Sequence, residues 1–311
     1  MSQRNRAIAI PVHNSVTHGL PVRCLLAQYT LPLNQKETYV RPTRTTIVAT
    51  LTVISMALAV PTAAVAARAL LIDGSTSVFP LMTQLATAYH KATHQATPKV
   101  GQGTSDAGIN DVNSGRVDIA DVSRDPIVGV DPKGLVFTKI ARDGICLITS
   151  PKNTLPNLNQ QQVQEIFTGQ IRSWSEVPGA TVSGPIDLFD RVASSGTQDA
   201  FTNIFLGETL KISPSASQEE SNGDLRQEVV TNENAIGFVS FAFTAGTHTV
   251  PYAGIPCTLA NAKSGQYQGV RNFWMVTKGA PTGAAAKFIS WVTSGNKVTK
   301  KIIASDWIPV H

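Results

Sequence analysis

Four times along this 311-residue chain, a short apolar run gives way to a loop with small hydroxyl residues, and in three of the four the loop also carries glycine and a helical pattern follows. A strand that ends in such a loop and leads straight into a helix is half of a βαβ unit, so its repetition points to an α/β sheet. Ala69–Ile72 reads as the first buried strand; it ends in Gly74-Ser75-Thr76-Ser77, and Leu81–Ala92 then carries helical spacing. Pro98–Val100 leads into Gly101–Gly108 (GQGTSDAG) and a short helix to Gly115. Val117–Val122 ends in Ser123-Arg124-Asp125, and Ile186–Phe189 runs into Arg191–Thr197 (RVASSGT), with a helix from Gln198. Leu135–Ile140 and Gly144–Ser150 read as two further strands, and Asn159–Phe167 as a helix. The expected fold class is α/β with mostly parallel strands.

In such sheets ligands bind beyond the carboxyl ends of the strands. A helix N-terminus there presents free backbone N–H groups and a partial positive charge, which suits an anion. Hydroxyls add neutral donors, and glycine lets the backbone approach closely. One loop of this kind is ordinarily no more than an N-cap. Four in one chain, two of them with arginine, point to an oxyanion site in which Arg124 and Arg191 offer bidentate, charge-assisted bonds.

Composition decides between partners. Hydrophobic residues make up 42% of the chain and charged residues 15%, too apolar for disorder. The formal charge is +5, yet residues 1–67 alone hold that excess, and residues 68–311 carry 20 basic and 20 acidic side chains. The folded part therefore has no net basic charge to attract a polyanion, and nucleic acid is not an expected partner.

Thr45–Ala67 has no charged residue, Arg41 and Arg44 precede it, and Ile47–Val60 is an apolar run broken only by small hydroxyls. With Ala64-Val65-Ala66 as a cleavage site near Ala66, residues 41–67 are expected to be a signal peptide rather than a membrane anchor, for which the run is short. The mature protein is then expected to be periplasmic or secreted. Residues 1–40 do not fit a leader; a start at Val40, from a GTG codon, would account for this extension.

Cys146 and Cys257 lie in the folded part; they either pair in an oxidising compartment or stay as buried thiols. An enzyme is the weaker reading. Ser194-Ser195-Gly196 is not a G-x-S-x-G elbow, and His90 and His94 share a helix face without the Glu of an HExxH motif. No cofactor or metal is expected.

At these loops the chain resembles the periplasmic phosphate-binding proteins, from about Leu70 to Pro309. The segments that carry the resemblance are GSTSVFPL (Gly74–Leu81), GQGTSDAGI (Gly101–Ile109), VDIADVSRDPI (Val117–Ile127) and RVASSGTQDAF (Arg191–Phe201). Leu158–Gly179, Asn234–Phe241 and Tyr267–Gly279 are similar to further signatures of that family. The resemblance implies a type II periplasmic binding protein fold: two α/β lobes, two crossovers, and inorganic phosphate in the cleft, delivered to the membrane permease subunits of an ABC importer. It implies ligand contacts from Ser77, the Val78 amide, Thr104, Ser105, Ser123, Arg124, Arg191, Ser195, the Gly196 amide and Thr197. It further implies residues 70–147 plus 248–311 as lobe one, residues 148–247 as lobe two, a monomer, and closure of the lobes on the ligand. The chain departs from some family members by placing Arg124 directly after Ser123, where they have an acidic residue, so sulfate or molybdate stays open as the alternative ligand, with a phosphatase as the weaker alternative function.

Overall fold

The structure is a computed structural model that describes residues 68–310 apart from Glu208. The expected leader at 41–67 and the extension at 1–40 lie outside the described residues. Strands are β1 (Leu71–Gly74), β2 (Lys99–Val100), β3 (Ile119–Val122), β4 (Leu135–Thr149), β5 (Asp187–Arg191), β6 (Ser217–Glu219), β7 (Ala235–Ser240), β8 (His248–Val250) and β9 (Val270–Lys278). Helices are α1 (Phe79–Thr93), α2 (Ser105–Ser114), α3 (Gln160–Phe167), α4 (Gly196–Phe201), α5 (Asn222–Thr231), α6 (Leu259–Lys263), α7 (Gly283–Thr293) and α8 (Lys297–Asp306).

Local chemistry accounts for the helix ends. Pro80 sits in the first turn of α1, where its missing N–H costs nothing, and Leu81, Met82, Leu85, Ala86 and Tyr89 bury one face. Helix α3 opens on a capping box between Asn159 and Gln162. Thr104 caps α2, which stops at Gly115 with φ 77°.

The strand order is β2-β1-β3-β9-β4-β7-β5-β6, with β8 also on β4. Ladders among β1, β2 and β3 and among β5, β6 and β7 are parallel, but every ladder made by β4 or β9 is antiparallel. The mostly parallel sheet expected from the sequence is thus mixed, because these two strands run between the halves. The two segments expected around residues 135–150 form a single strand, with a register shift between Lys139 and Ala141. As far as Gly144, β4 pairs with β9; from Ile145 it pairs with β7 and β8. One strand therefore serves both lobes.

Each lobe has its own apolar core. Leu70, Ile72, Leu81, Leu85, Phe288 and Trp307 pack together in the first. In the second, Phe201 stacks on Phe238 with ring centroids 3.8 Å apart, among Val163, Phe167 and Phe205. The return to lobe one comes later than the expected residue 248. Val250, Tyr252, Cys257 and Tyr267 all pack in the second lobe, and the Tyr267 hydroxyl donates to the Ile145 carbonyl at 2.6 Å. Cys257 is bonded to Cys146, with Cα atoms 5.6 Å apart, which ties this stretch to β4. The chain rejoins the first lobe at Val270. Among the described residues, no helix is long and apolar enough to cross a membrane.

A candidate anion-binding site between the lobes

Parallel pairing of β1 with β3 puts Gly74 opposite Asp121, so the loops that follow emerge side by side. Gly74 has φ 153°, and a Cβ there would run into the Asp121 backbone carbonyl. From these loops Ser75 Oγ meets Ser123 Oγ at 2.7 Å. Ser105, at the start of α2, accepts the Ser123 N–H at 3.1 Å and lies 3.3 Å from the Ser123 hydroxyl.

The second lobe brings its own hydroxyls to the same place. Ser195 Oγ accepts the N–H groups of Thr197 and Gln198 at 3.2 and 3.4 Å, fixing the entry to α4. Thr197 Oγ1 meets Ser77 Oγ at 2.9 Å, and the Asp106 N–H donates to the Ser194 carbonyl at 3.2 Å. Gly196 lies flat against Ser105 and Ser123: a Cβ would stand 2.8 Å from Ser123 Oγ and closer still to Ser105 Oγ. Ser77, Ser105, Ser123, Ser195 and Thr197 are all buried.

Arg191 closes the site at the end of β5. Its side chain is buried; Nε donates to the Glu219 carbonyl at 2.9 Å and Nη2 to the Glu220 carbonyl at 2.5 Å. Its Nη1 has no partner. A buried donor without a partner loses its hydration for nothing in return, so it favours an acceptor brought from outside.

Three residues expected in the ligand set are engaged elsewhere. The Val78 N–H donates to the Ser75 carbonyl at 3.0 Å, closing the turn into α1. Thr104 Oγ1 accepts the Ala107 N–H at 3.3 Å as a cap, while its neighbour Ser105 faces the cleft. Arg124 spends its guanidinium on Asp106, on the Asp125 carbonyl and, through two parallel bonds of 3.1 and 2.6 Å, on Asp131. Those partners take up its donors, so its charge serves its own loop.

Two contributors escaped the sequence reading. Asn222, at the start of α5, donates to Thr76 Oγ1 at 3.0 Å and Ser77 Oγ at 2.8 Å, and its Oδ1 accepts the Ser240 N–H. Arg271 on β9 donates through Nη1 to Thr197 Oγ1 at 2.8 Å, and through Nε and Nη2 to Asp143 Oδ2 on β4. The signal for Asn222 was present, since Ser221-Asn222 again stands between a strand and a helix.

Burial, and then the positive field of Arg271, bring the Arg191 guanidinium down to about 10. Burial pushes the neighbouring Asp190 carboxyl up to about 6, against the pull of Gln218, Gln198 and Arg191. Burial works against the charge on Arg124, but the hydrogen bonds it donates to Asp131 and Asp106 outweigh this and raise its pKa. The site thus offers hydroxyl and guanidinium donors in a dry setting where each is strong. No histidine is among the hydroxyl contacts, and among the described residues no cluster of His, Cys, Asp or Glu could hold a metal.

A family model described as the PBP superfamily domain matches residues 61–296. The chain belongs to the PBP superfamily. Its resemblance to the phosphate-binding members of that superfamily, and its type II fold, are borne out by similarity to known proteins. It is 27% identical over 250 residues to the phosphate-binding protein PstS of Bacillus subtilis, covering 79% of this chain and 82% of that one. It is 31% identical, with a TM-score of 0.73, to a Clostridium perfringens phosphate ABC transporter substrate-binding protein solved with bound phosphate. That match covers 78% of this chain and 100% of the other. An ABC-type phosphate transport receptor from Vibrio cholerae is 28% identical with a TM-score of 0.62, covering 77% and 99%. As a PBP superfamily member, the chain places its hydroxyl cluster where its two lobes meet.

Proposed function

We propose that this protein captures inorganic phosphate between its lobes and delivers it to the membrane subunits of an ABC importer. The observation that carries the reading is the meeting of Ser77, Ser105, Ser123, Thr197 and Gly196 from both lobes, with Arg191, whose buried Nη1 has no partner, at the end of β5 four residues before the Ser195 cap of α4. An oxyanion accepts hydrogen bonds on every face, and this cluster consists of donors from both lobes. The phosphate-bound relative with the same fold supports phosphate as the anion. Binding without turnover is the expected activity.

Lobe one comprises residues 68–144 plus 270–310, and lobe two residues 145–269, on the basis of the pairing switch in β4 and the cores described above. The lobes close by a hinge at the two crossovers, since Ser77 and Thr197 come from opposite sides. The mature protein, cleaved near Ala66, is monomeric and works outside the cytoplasmic membrane; the Cys146–Cys257 bond suits an oxidising compartment.

Titration calorimetry of anion-stripped mature protein tests the reading, with phosphate, sulfate and molybdate as ligands. Tight binding of phosphate alone is expected, and a preference for sulfate or molybdate overturns the assignment. Arg191→Ala should weaken phosphate binding by roughly 2–5 kcal/mol, a factor of about 30 to several thousand, and Arg191→Lys by less. Unchanged affinity in Arg191→Ala would remove Arg191 from the site.

A further inference from the structure

Arg124 is held by carboxylates, so a second positive charge for the anion has to come from elsewhere in the cleft. Arg271 meets that need in position, burial and geometry. It is the cross-strand partner of Asp143 in the β4–β9 ladder, one residue from the Gly144–Ile145 step where β4 changes lobes. Asp143 is fully buried, and its Oδ2 accepts Arg271 Nε at 3.1 Å and Nη2 at 2.9 Å, which fixes the guanidinium plane. The remaining nitrogen, Nη1, points away from that carboxylate. It lies 2.8 Å from Thr197 Oγ1 of one lobe and 3.4 Å from Ser123 Oγ of the other.

We infer that Arg271 is the second cationic arm of the oxyanion site and ties that site to the crossover strands, so that anion capture and lobe closure share one side chain. The inference rests on the oxyanion reading above. Arg271 and Arg191 are near enough for their charges to oppose each other, and burial compounds the strain on both. Asp143 offsets one of these charges; an anion against Arg191 Nη1 and Arg271 Nη1 offsets the other. Arg271 also sets the direction of the Thr197 hydroxyl. By donating to Thr197 Oγ1, as Asn222 does to Ser77 Oγ, it leaves one of these two bonded hydroxyls to donate to its neighbour and the other to donate onward.

A buried arginine beside a buried aspartate also fits a purely structural pair, and the experiment separates the two roles. Parent, Arg271→Lys, Arg271→Met and the double variant Arg271→Met with Asp143→Leu are titrated with phosphate, and the melting temperature of each is recorded. The double variant exchanges a buried ion pair for apolar side chains, which proteins commonly tolerate. It should melt near the parent temperature yet bind phosphate at least about 30-fold more weakly. Arg271→Lys keeps the charge and loses the fork, so it should stay folded and bind about tenfold more weakly. A folded double variant with affinity within about threefold of the parent overturns the inference, because Arg271 then serves only Asp143. If the double variant does not fold, unchanged affinity in Arg271→Lys overturns it equally. A parent that binds none of the oxyanions overturns the functional reading instead.

Discussion

Gly196→Ala is the sharpest single perturbation of the cleft. Gly196 does not have a positive φ, so the substitution leaves the backbone unstrained and acts through volume alone. The added methyl would stand 2.8 Å from Ser123 Oγ, where ordinary contact begins at 3.4 Å, so this hydroxyl has to retreat by about 0.6 Å and Ser105 Oγ by more. Neither moves freely. Ser123 Oγ is bonded to Ser75 at 2.7 Å, and Ser105 Oγ receives the Ser123 N–H at 3.1 Å. Losing two or three buried hydrogen bonds, at about 0.5–1.5 kcal/mol each, costs about 1–4 kcal/mol in the closed form. Phosphate affinity should therefore fall by about 5- to 1,000-fold. The open form is untouched, so the melting temperature without phosphate should change little, and small-angle scattering should show a larger radius of gyration at equal phosphate occupancy. Gly223→Ala is the control, since its nearest outside atom is 3.5 Å away and it lies within α5. Parent-like affinity and parent-like scattering in Gly196→Ala would refute the contact between Gly196 and the first-lobe serines.

Other outcomes follow from features around the cleft. Arg124→Met should lower stability by about 2–4 kcal/mol in denaturant titrations, because it leaves the largely covered Asp131 carboxylate without its arginine, while phosphate affinity stays within about threefold; a large loss of affinity would return Arg124 to the ligand set. Reducing the Cys146–Cys257 bond frees a loop of 111 residues and should cost about 4–5 kcal/mol, read as a lower melting temperature with reductant; identical melts would exclude the bond. Asp190 keeps its proton up to about pH 6 when folded, whereas the unfolded side chain releases it near pH 4. The folded state thus holds the extra proton, and raising the pH through that window removes stability. Relative to Asp190→Asn, the parent should lose stability between about pH 4 and pH 6 and no more above it; parallel urea midpoints across that range would contradict this.

The four loops were legible because Gly, Ser and Thr just past the end of a strand carry their chemistry in local order. Residues such as Ser77, Ser123 and Thr197 need only their own loop to be recognised. Arg271 is the second residue of the strand Val270–Lys278, with no loop of its own, and reaches the cleft only because β9 lies between β3 and β4. That adjacency is a long-range fact with no local trace. The carboxylate partners of Arg124 were hidden for the converse reason. Arg124 stands where a ligand residue belongs, but Asp131 returns to it seven residues later after a turn whose shape the sequence does not announce. The late return to lobe one was hidden by β8, a three-residue strand (HTV) too short and polar to read as part of a sheet.

The position of β9 has a consequence for biogenesis. Lobe two is one continuous stretch, closed on itself by Cys146 and Cys257, so it can be completed as soon as residue 269 has been made. Lobe one cannot. Its last-synthesised strand is an interior one, and until Lys278 has emerged β3 carries a bare edge and α7 and α8 are missing from its core. Assembly therefore runs inside out. The middle of the gene product matures first, and its two ends meet afterwards around it. An exposed edge strand is an invitation to pair with another chain, so the interval between residues 122 and 278 is when the emerging chain most needs a chaperone.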